Sequence, residues 1–337
     1  MRNAVNEHYT KLIMGASSAN RELNDVIWIR VFAIISVVAW HSYCPYLCWG
    51  IANSPFDGLY GRVFMVIAPI ANMPLFTFLS GYLFCYLYKY SDKYRDFKGF
   101  FKNKVRRLLI PYLVLGFVIT MTTLNDMNPV NLFYGIPNHM WYCLMLFWCF
   151  IVCWVVENKM WKWFNYPLAL ASLCFVIYHG AYYTTDKSPL GIYMLTYFYF
   201  FFYLGYIVFS KKELVIKIMK YAWPLVFVLY FATMRWHLGG HLLGARAILW
   251  VLLLLFVVNK IKINPPIWMK TLSKYSFGIY VFHDWIIRNV ARYEPMKDIM
   301  NEHYILFPLI LFILAFFIGL VLTHYLLKTK IGRFLLA

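Results

Sequence analysis

Ten stretches of apolar sequence, each approaching or exceeding the length that crosses a hydrocarbon core of about 30 Å, recur along the chain at approximately 26–46, 63–88, 108–124, 140–157, 166–182, 190–209, 221–236, 245–259, 273–290 and 304–327. Lipid offers the backbone no hydrogen-bonding partners, so a spanning segment must be a helix or part of a closed barrel. The runs are continuous rather than alternating, which argues against the barrel. The chain therefore reads as an all-α polytopic membrane protein with about ten transmembrane helices. Its charged fraction of 14% agrees, since a soluble domain carries about 25%.

These spans predict a segment 1–25 outside the membrane, a transmembrane domain over 26–327 and a short tail over 328–337, with no separate soluble domain. Residues 1–25 lack the apolar core of a cleavable signal, so the first helix is expected to direct insertion, with Asn24 or Asp25 as its N-cap. Most Lys and Arg fall in alternate connecting segments, which places both termini in the cytoplasm by the positive-inside rule. The formal charge of +18 is then a topology and lipid-contact signal, and a nucleic-acid partner is not implied.

Two ionisable side chains interrupt the first run, VIWIRVFAIISVVAWHSY, at Arg30 and His41. At about 100° and about 1.5 Å per residue, eleven steps return a side chain to within about 20° of its first direction and carry it about 16 Å along the axis. One helix face thus bears a cation near one surface and an imidazole deeper in. A charge in lipid is costly, so such residues are functional candidates by default. Arg30 is expected to hold the phosphates or amide arm of a donor, or else to anchor the helix or pair with Asp25. His41 suits general-base chemistry or a transient covalent role, or else a hydrogen-bonded core position.

The basic loop between the second and third runs, KYSDKYRDFKGFFKNKVRRLL, ends on Lys104, Arg106 and Arg107 as the chain re-enters the membrane. Phosphate binding and lipid-headgroup contact explain it about equally. Ser80, Gly81 and Tyr82 lie on the second run, where they could line a donor tunnel or serve helix packing, and Pro74 is placed to bend that helix.

At this point the residues resemble a known family. NDVIWIRVFAIISVVAWH, with its Arg and His, is similar to the opening helix of the acyltransferase-3 family of integral membrane acyltransferases. PLFTFLSGYLF resembles the family's aromatic segment ending in Ser-Gly-aromatic, and NKVRRLLIPYL its Arg-x-x-Arg segment, here with Lys104 at the first position. HMWYCLMLF and YSFGIYVFH resemble two later helices. The resemblance implies transfer of an acyl group, usually acetyl, from cytoplasmic acyl-coenzyme A as co-substrate to a carbohydrate hydroxyl, in the cytoplasmic membrane of a bacterium. No permanently bound cofactor is implied. It also implies a donor set of Arg30, Lys104, Arg106, Arg107, Ser80, Gly81 and Tyr82, with His41 catalytic. His139, Trp141, Tyr280, His283 and Asp284 would bind the acceptor or support the site.

Other features add little. His237 and His241 have helical metal-pair spacing but sit in a Gly-rich stretch with no third ligand, so no metal site is expected. Cys44 and Cys48 could form a disulfide near the outer surface, and Trp49, Tyr182 and Trp236 could stack on sugars or form an interfacial belt. A transporter or flippase for a lipid-linked glycan is the main alternative, though paired broken helices in two related halves are not evident. A membrane glycosyltransferase ranks lower, because Asp57 and Asp126 are isolated. The oligomeric state is not legible.

Overall fold

A computed structural model describes residues 2–47, 49–52, 73–90, 94, 96–124, 128–134, 138–179, 188–235, 241–261 and 263–336, with first-helix side chains from Asn24 onward. Residues 63–72, Cys48, Asp57, Asp126, Tyr182, Trp236 and His237 lie outside that set, as does the His241 side chain. Among the described residues there are helices and turns but no strands.

The main helices are α1 (Arg2–Leu47), α2 (Pro74–Tyr90), α3 (Phe97–Lys104), α4 (Ile110–Thr122), α5 (Val130–Phe133), α6 (Trp141–Lys159) and α7 (Asn165–His179). They continue as α8 (Ile192–Ser210), α9 (Lys212–Arg235), α10 (His241–Lys260), α11 (Ile267–Arg292), α12 (Glu294–Glu302), α13 (Phe307–Leu326) and α14 (Lys330–Leu336). Among the described residues, six helical segments are long and apolar enough to cross a membrane: Asn24–Leu47, Phe97–Thr122, Trp141–Lys159, Pro189–Ser210, Lys212–Thr233 and Phe307–Leu326. The other apolar stretches also coincide with helices where described, but α2 and α7 are shorter, and α11 mixes its apolar residues with Lys, Arg, His and Asp.

Two expectations are corrected. The first helix does not start at Asn24 or Asp25, because α1 runs unbroken through them and no cap is needed. Asn24 instead donates to Asn264 at 2.8 Å, and Asp25 accepts from Lys212 at 2.9 Å, so Asp25 is paired with α9 rather than with Arg30. Pro74 opens α2 rather than bending it, which suits a residue whose missing N–H would have had no helical partner there.

The helices form two packed groups. α1, α11 and α13 pack on one another, while α8 packs on α2, α6 and α7, and α9 pairs chiefly with α10 at the side. The α2–α8 crossing depends on two glycines. A Cβ at Gly81 would overlap the Phe202 carbonyl, and one at Gly205 would overlap the Phe78 carbonyl, so only glycine admits this approach. Aromatic rings fill the space around the crossing: Phe84 lies 5.7 Å from Phe150 and 5.9 Å from Phe202. Exposed Leu, Ile, Val and Phe side chains on α9 and α13 face outward, as lipid-facing helices require.

Candidate active site

His41 on α1 and His283 on α11 meet because those helices pack together and bring the two imidazoles to the same level. Their ring centroids are 4.8 Å apart, and His41 Nδ1 lies 3.1 Å from His283 Nε2. The surrounding carbonyls fix the protons, since a carbonyl can only accept. His283 Nδ1–H donates to the Tyr280 carbonyl at 2.6 Å, and His41 Nδ1–H has the Val37 carbonyl at 3.0 Å. His41 Nδ1–H is therefore shared between Val37 and an accepting His283 Nε2. A neutral His41 consequently carries its lone pair on Nε2, the nitrogen suited to take a proton.

That Nε2 faces Asp284. The distance to Oδ1 is 3.9 Å, and Oδ1 is buried without a hydrogen-bond partner among the described residues. The other oxygen is doubly held: Oδ2 accepts from Arg288 Nε at 2.8 Å, one helical turn along α11, and from His139 Nδ1 at 3.0 Å. His139 Nε2 in turn lies 3.0 Å from the Val281 carbonyl. Both partners of His139 are acceptors, so both bonds form only when each nitrogen carries a proton. His139 and Arg288 thus grip one carboxylate oxygen and leave the other turned toward His41.

Exposure separates the imidazoles. The His41 side chain is 18% exposed, against 4% for His139, and His283 is fully buried at 0%. Of the three, His41 is the one a substrate can reach. Trp49 lies beside it, with ring centroids 6.2 Å apart, and the Arg288 guanidinium stacks 3.9 Å from the Trp49 centroid.

Two tyrosines join this centre to Arg30. Tyr280 packs 5.0 Å from His139 and 5.7 Å from His283, and its hydroxyl donates to the His139 carbonyl. Tyr142 lies 5.7 Å from Tyr280 and in hydrogen-bonding reach of Ser80 and Thr77, and it interacts electrostatically with the half-buried Arg30. Contacts through Tyr142 and Tyr280 therefore link Arg30 and Ser80 to the His139 and His283 side of the centre. Tyr142, Thr77 and Arg288 escaped the sequence reading. Asp284 and Arg288 are four residues apart, the spacing that puts two side chains on one helix face, which was the available signal.

The remaining residues fall elsewhere. Gly81 is spent on the α2–α8 crossing, and Tyr82 is buried with Phe209 at 4.9 Å. Trp141 is a buried packing residue against Phe198 at 5.3 Å. The basic turn is π-helical over Val105–Leu109, with the Ile110 N–H reaching back to the Val105 carbonyl. π-turns of this kind occur often at functional sites. Arg106 and Arg107 are exposed on this turn, and the Arg106 guanidinium lies 5.3 Å from the Phe334 ring centre. Lys104 turns inward: its ammonium donates to the Tyr94 hydroxyl at 3.1 Å and sits 3.3 Å from the Phe150 ring centre.

No curated protein and no solved structure matches the chain. The model of the acyltransferase domain of the acyltransferase-3 family does match, over residues 23–324. That span takes in every residue of the His41 and Arg30 clusters, and the chain belongs to this family of membrane acyltransferases.

Proposed function

We propose that the protein moves an acyl group, acetyl in the simplest case, from cytoplasmic acyl-coenzyme A to a hydroxyl of a cell-surface or exported carbohydrate, with His41 as the base. The observation that carries this reading is the bare His41 Nε2 opposite the unpartnered Asp284 Oδ1 at 3.9 Å. As the hydroxyl oxygen attacks the thioester carbonyl, His41 Nε2 takes its proton. The new C–O bond replaces the C–S bond, and the proton passes from Nε2 to the departing thiolate, releasing coenzyme A as the free thiol. While it carries that proton, His41 faces the Asp284 carboxylate, whose charge favours the imidazolium. His283 keeps the reactive tautomer by accepting from Nδ1.

Arg30, with Tyr142 and Ser80, lines the approach of the donor. Arg106 and Arg107 meet the donor phosphates at the mouth, where guanidinium forks suit them, and Lys104 supports their turn from beneath. In this reading the chain has about ten membrane helices with both termini cytoplasmic. It acts in a bacterial cytoplasmic membrane, and its partners are acyl-coenzyme A, a carbohydrate and membrane lipids.

The test is to incubate purified protein with acetyl-coenzyme A labelled in the acetyl group and a glycan extract. Thiol release matched by label in glycan is expected, with both lost in His41→Ala. Thiol-independent movement of glycan across liposomes, with no label transferred, would sink the reading in favour of transport. An acetyl label trapped on His41 by rapid quench without acceptor would replace the base with an acyl-histidine route at the same nitrogen.

A further inference from the structure

The chain folds back on itself just past the end of α1. After Leu47 it turns through Gly50, whose φ of +60° is a left-handed conformation that suits glycine, and the Trp49 N–H donates to the Cys44 carbonyl at 2.9 Å. The Ile51 N–H closes the turn on the Pro45 carbonyl at 3.0 Å. These bonds fix Trp49 beside the His41 imidazole, with ring centroids 6.2 Å apart.

Arg288 is held on two sides by this arrangement. Its Nε donates to Asp284 Oδ2 at 2.8 Å, and its guanidinium lies 3.9 Å from the Trp49 ring centre. A planar group fixed by an ion pair and a stacking surface loses little further freedom when it takes up another ligand. The two terminal nitrogens are left over. Neither is sealed in the interior, and neither has a hydrogen-bond partner among the described residues. The Arg288 side chain is 15% exposed, close to the 18% of His41. The carboxylate that faces His41 Nε2 at 3.9 Å therefore also anchors a guanidinium whose outer edge is open.

The chemistry of that edge narrows what can occupy it. Parallel N–H groups on Nη1 and Nη2 match two coplanar oxygens of an anion. A single sugar hydroxyl would leave the charge unanswered. Once His41 takes a proton, Asp284 stands between two cations, and an anion at the Arg288 edge would offset the surplus. In the orientation proposed above, this is the non-cytoplasmic end of α1, where membrane topology does not call for arginine.

We propose that Arg288, backed by Trp49, binds a carboxylate on the carbohydrate acceptor, so that the protein selects an acidic sugar and presents its hydroxyl to His41 Nε2. The proposal rests on the acyl-transfer reading above and adds the class of acceptor to it. Arg288 then serves in two directions, with Nε orienting Asp284 and the terminal nitrogens reading the substrate.

A glycan extract divided into two halves tests this, one half untreated and the other with its carboxylates converted to methylamides by carbodiimide coupling. Each is incubated with the purified protein and acetyl-coenzyme A labelled in the acetyl group. The wild type should place at least about tenfold more label in the untreated half, the scale of losing hydrogen bonds to a charged group. Arg288→Gln should lower transfer and make the two halves equal, whereas Arg288→Lys, which keeps the charge without the fork, should retain part of the preference. A role confined to holding Asp284 would lower the rate in both halves and leave their ratio unmoved. Equal labelling by the wild type would overturn the proposal, as would a preference that survives in Arg288→Gln. If Arg288→Gln does not fold, Arg288→Lys and Trp49→Leu decide, and a preference undiminished in both overturns it. No label in either half from the wild type would bring down the acyl-transfer reading itself, and this proposal with it.

Discussion

The Asp284 centre and the Lys104 cage bury opposite charges by different means. α6 runs past both, since His139 precedes its first residue and Phe150 faces Lys104 eleven residues later, about 16 Å along the axis. At Asp284 the carboxylate is met by the Arg288 guanidinium at 2.8 Å and the His139 imidazole at 3.0 Å, with one oxygen left over for His41. At Lys104 no carboxylate among the described residues is involved: the ammonium has the Tyr94 hydroxyl at 3.1 Å and the faces of Phe150, Tyr94 and Phe100 at 3.3, 4.8 and 5.7 Å. A buried charge held by others leaves them stranded when it is removed, whereas a charge held by rings leaves only a hydrophobic hole. In the proposed function the first arrangement manages protons and the second holds a turn.

The largest effect is expected at the member of the Asp284 centre that substrate can reach. His41→Ala should lower acyl transfer by about 10³-fold or more, within the upper range for loss of a general base, with the protein still present in the membrane. Thiol release from acyl-coenzyme A against membrane abundance measures this. Transfer within about threefold of the wild type would remove His41 from the mechanism.

Asp284→Asn separates the two regions next. The amide cannot stabilise a protonated His41, so kcat should fall by about 10²-fold with KM for the donor little changed, the pattern of an interaction made in the transition state. The same change leaves Arg288 and His139 beside a neutral group, and breaking a buried pair in this way costs about 3–5 kcal/mol. Stability in detergent should fall, and Asp284→Asn with Arg288→Gln should recover part of that stability but not the rate. Recovery of both together would mean that Asp284 serves packing alone.

How far such contrasts were legible in the sequence depends on how local they are. The alignment of Arg30 with His41 followed from helical period, because both lie on one helix. The approach of His283 to His41 could be framed as a question of depth, and the α1–α11 packing answered it. Asp284 with Arg288 needed only i, i+4 spacing, although the role of Oδ1 required His139, 145 residues away in sequence. The Lys104 cage had little local signal, with Phe100, one turn earlier on α3, as its wall near in sequence. The walls closer in space come from a loop tyrosine and from α6, so the LysValArgArg run read as one cationic patch when the fold splits it into a buried ammonium and two exposed guanidinium groups. Gly81 read ambiguously because close approach to a ligand and close approach to a helix demand the same residue, and only the position of Phe202 decides between them. The helix start at Asn24 failed for a related reason: a good cap residue marks a helix end only when the preceding sequence stops being helical, and residues 2–23 continue.

Lys104→Met sharpens the other side of the comparison. Methionine has a similar length and makes favourable contacts with aromatic rings, so the cage can close on it at the cost of a cation–π interaction and one hydrogen bond to Tyr94. Thermal stability should change by no more than about 2 kcal/mol, far less than at Asp284. Transfer should fall by less than about tenfold, since Arg106 and Arg107 retain their charge on the π-turn. The effect should lie in KM for acyl-coenzyme A, with kcat kept. A loss of rate equal to that of Asp284→Asn would show that the ammonium acts directly in the reaction.

Arg106→Gln is expected to have the smallest effect, and its size tests whether the turn is a binding surface or a membrane anchor. Its guanidinium is exposed and rests over Phe334 at 5.3 Å, a surface contact worth about 0.5–1 kcal/mol. If Arg106 also meets a donor phosphate, losing its charge should raise KM for acyl-coenzyme A about three- to tenfold, and the increase should shrink at high salt as the exposed charges become screened. Phe334→Leu removes the stacking surface while leaving the charge, so it should alter KM by less than Arg106→Gln. Equal shifts in the two variants would assign Arg106 to packing on α14, and the phosphate contact would then rest on Arg107.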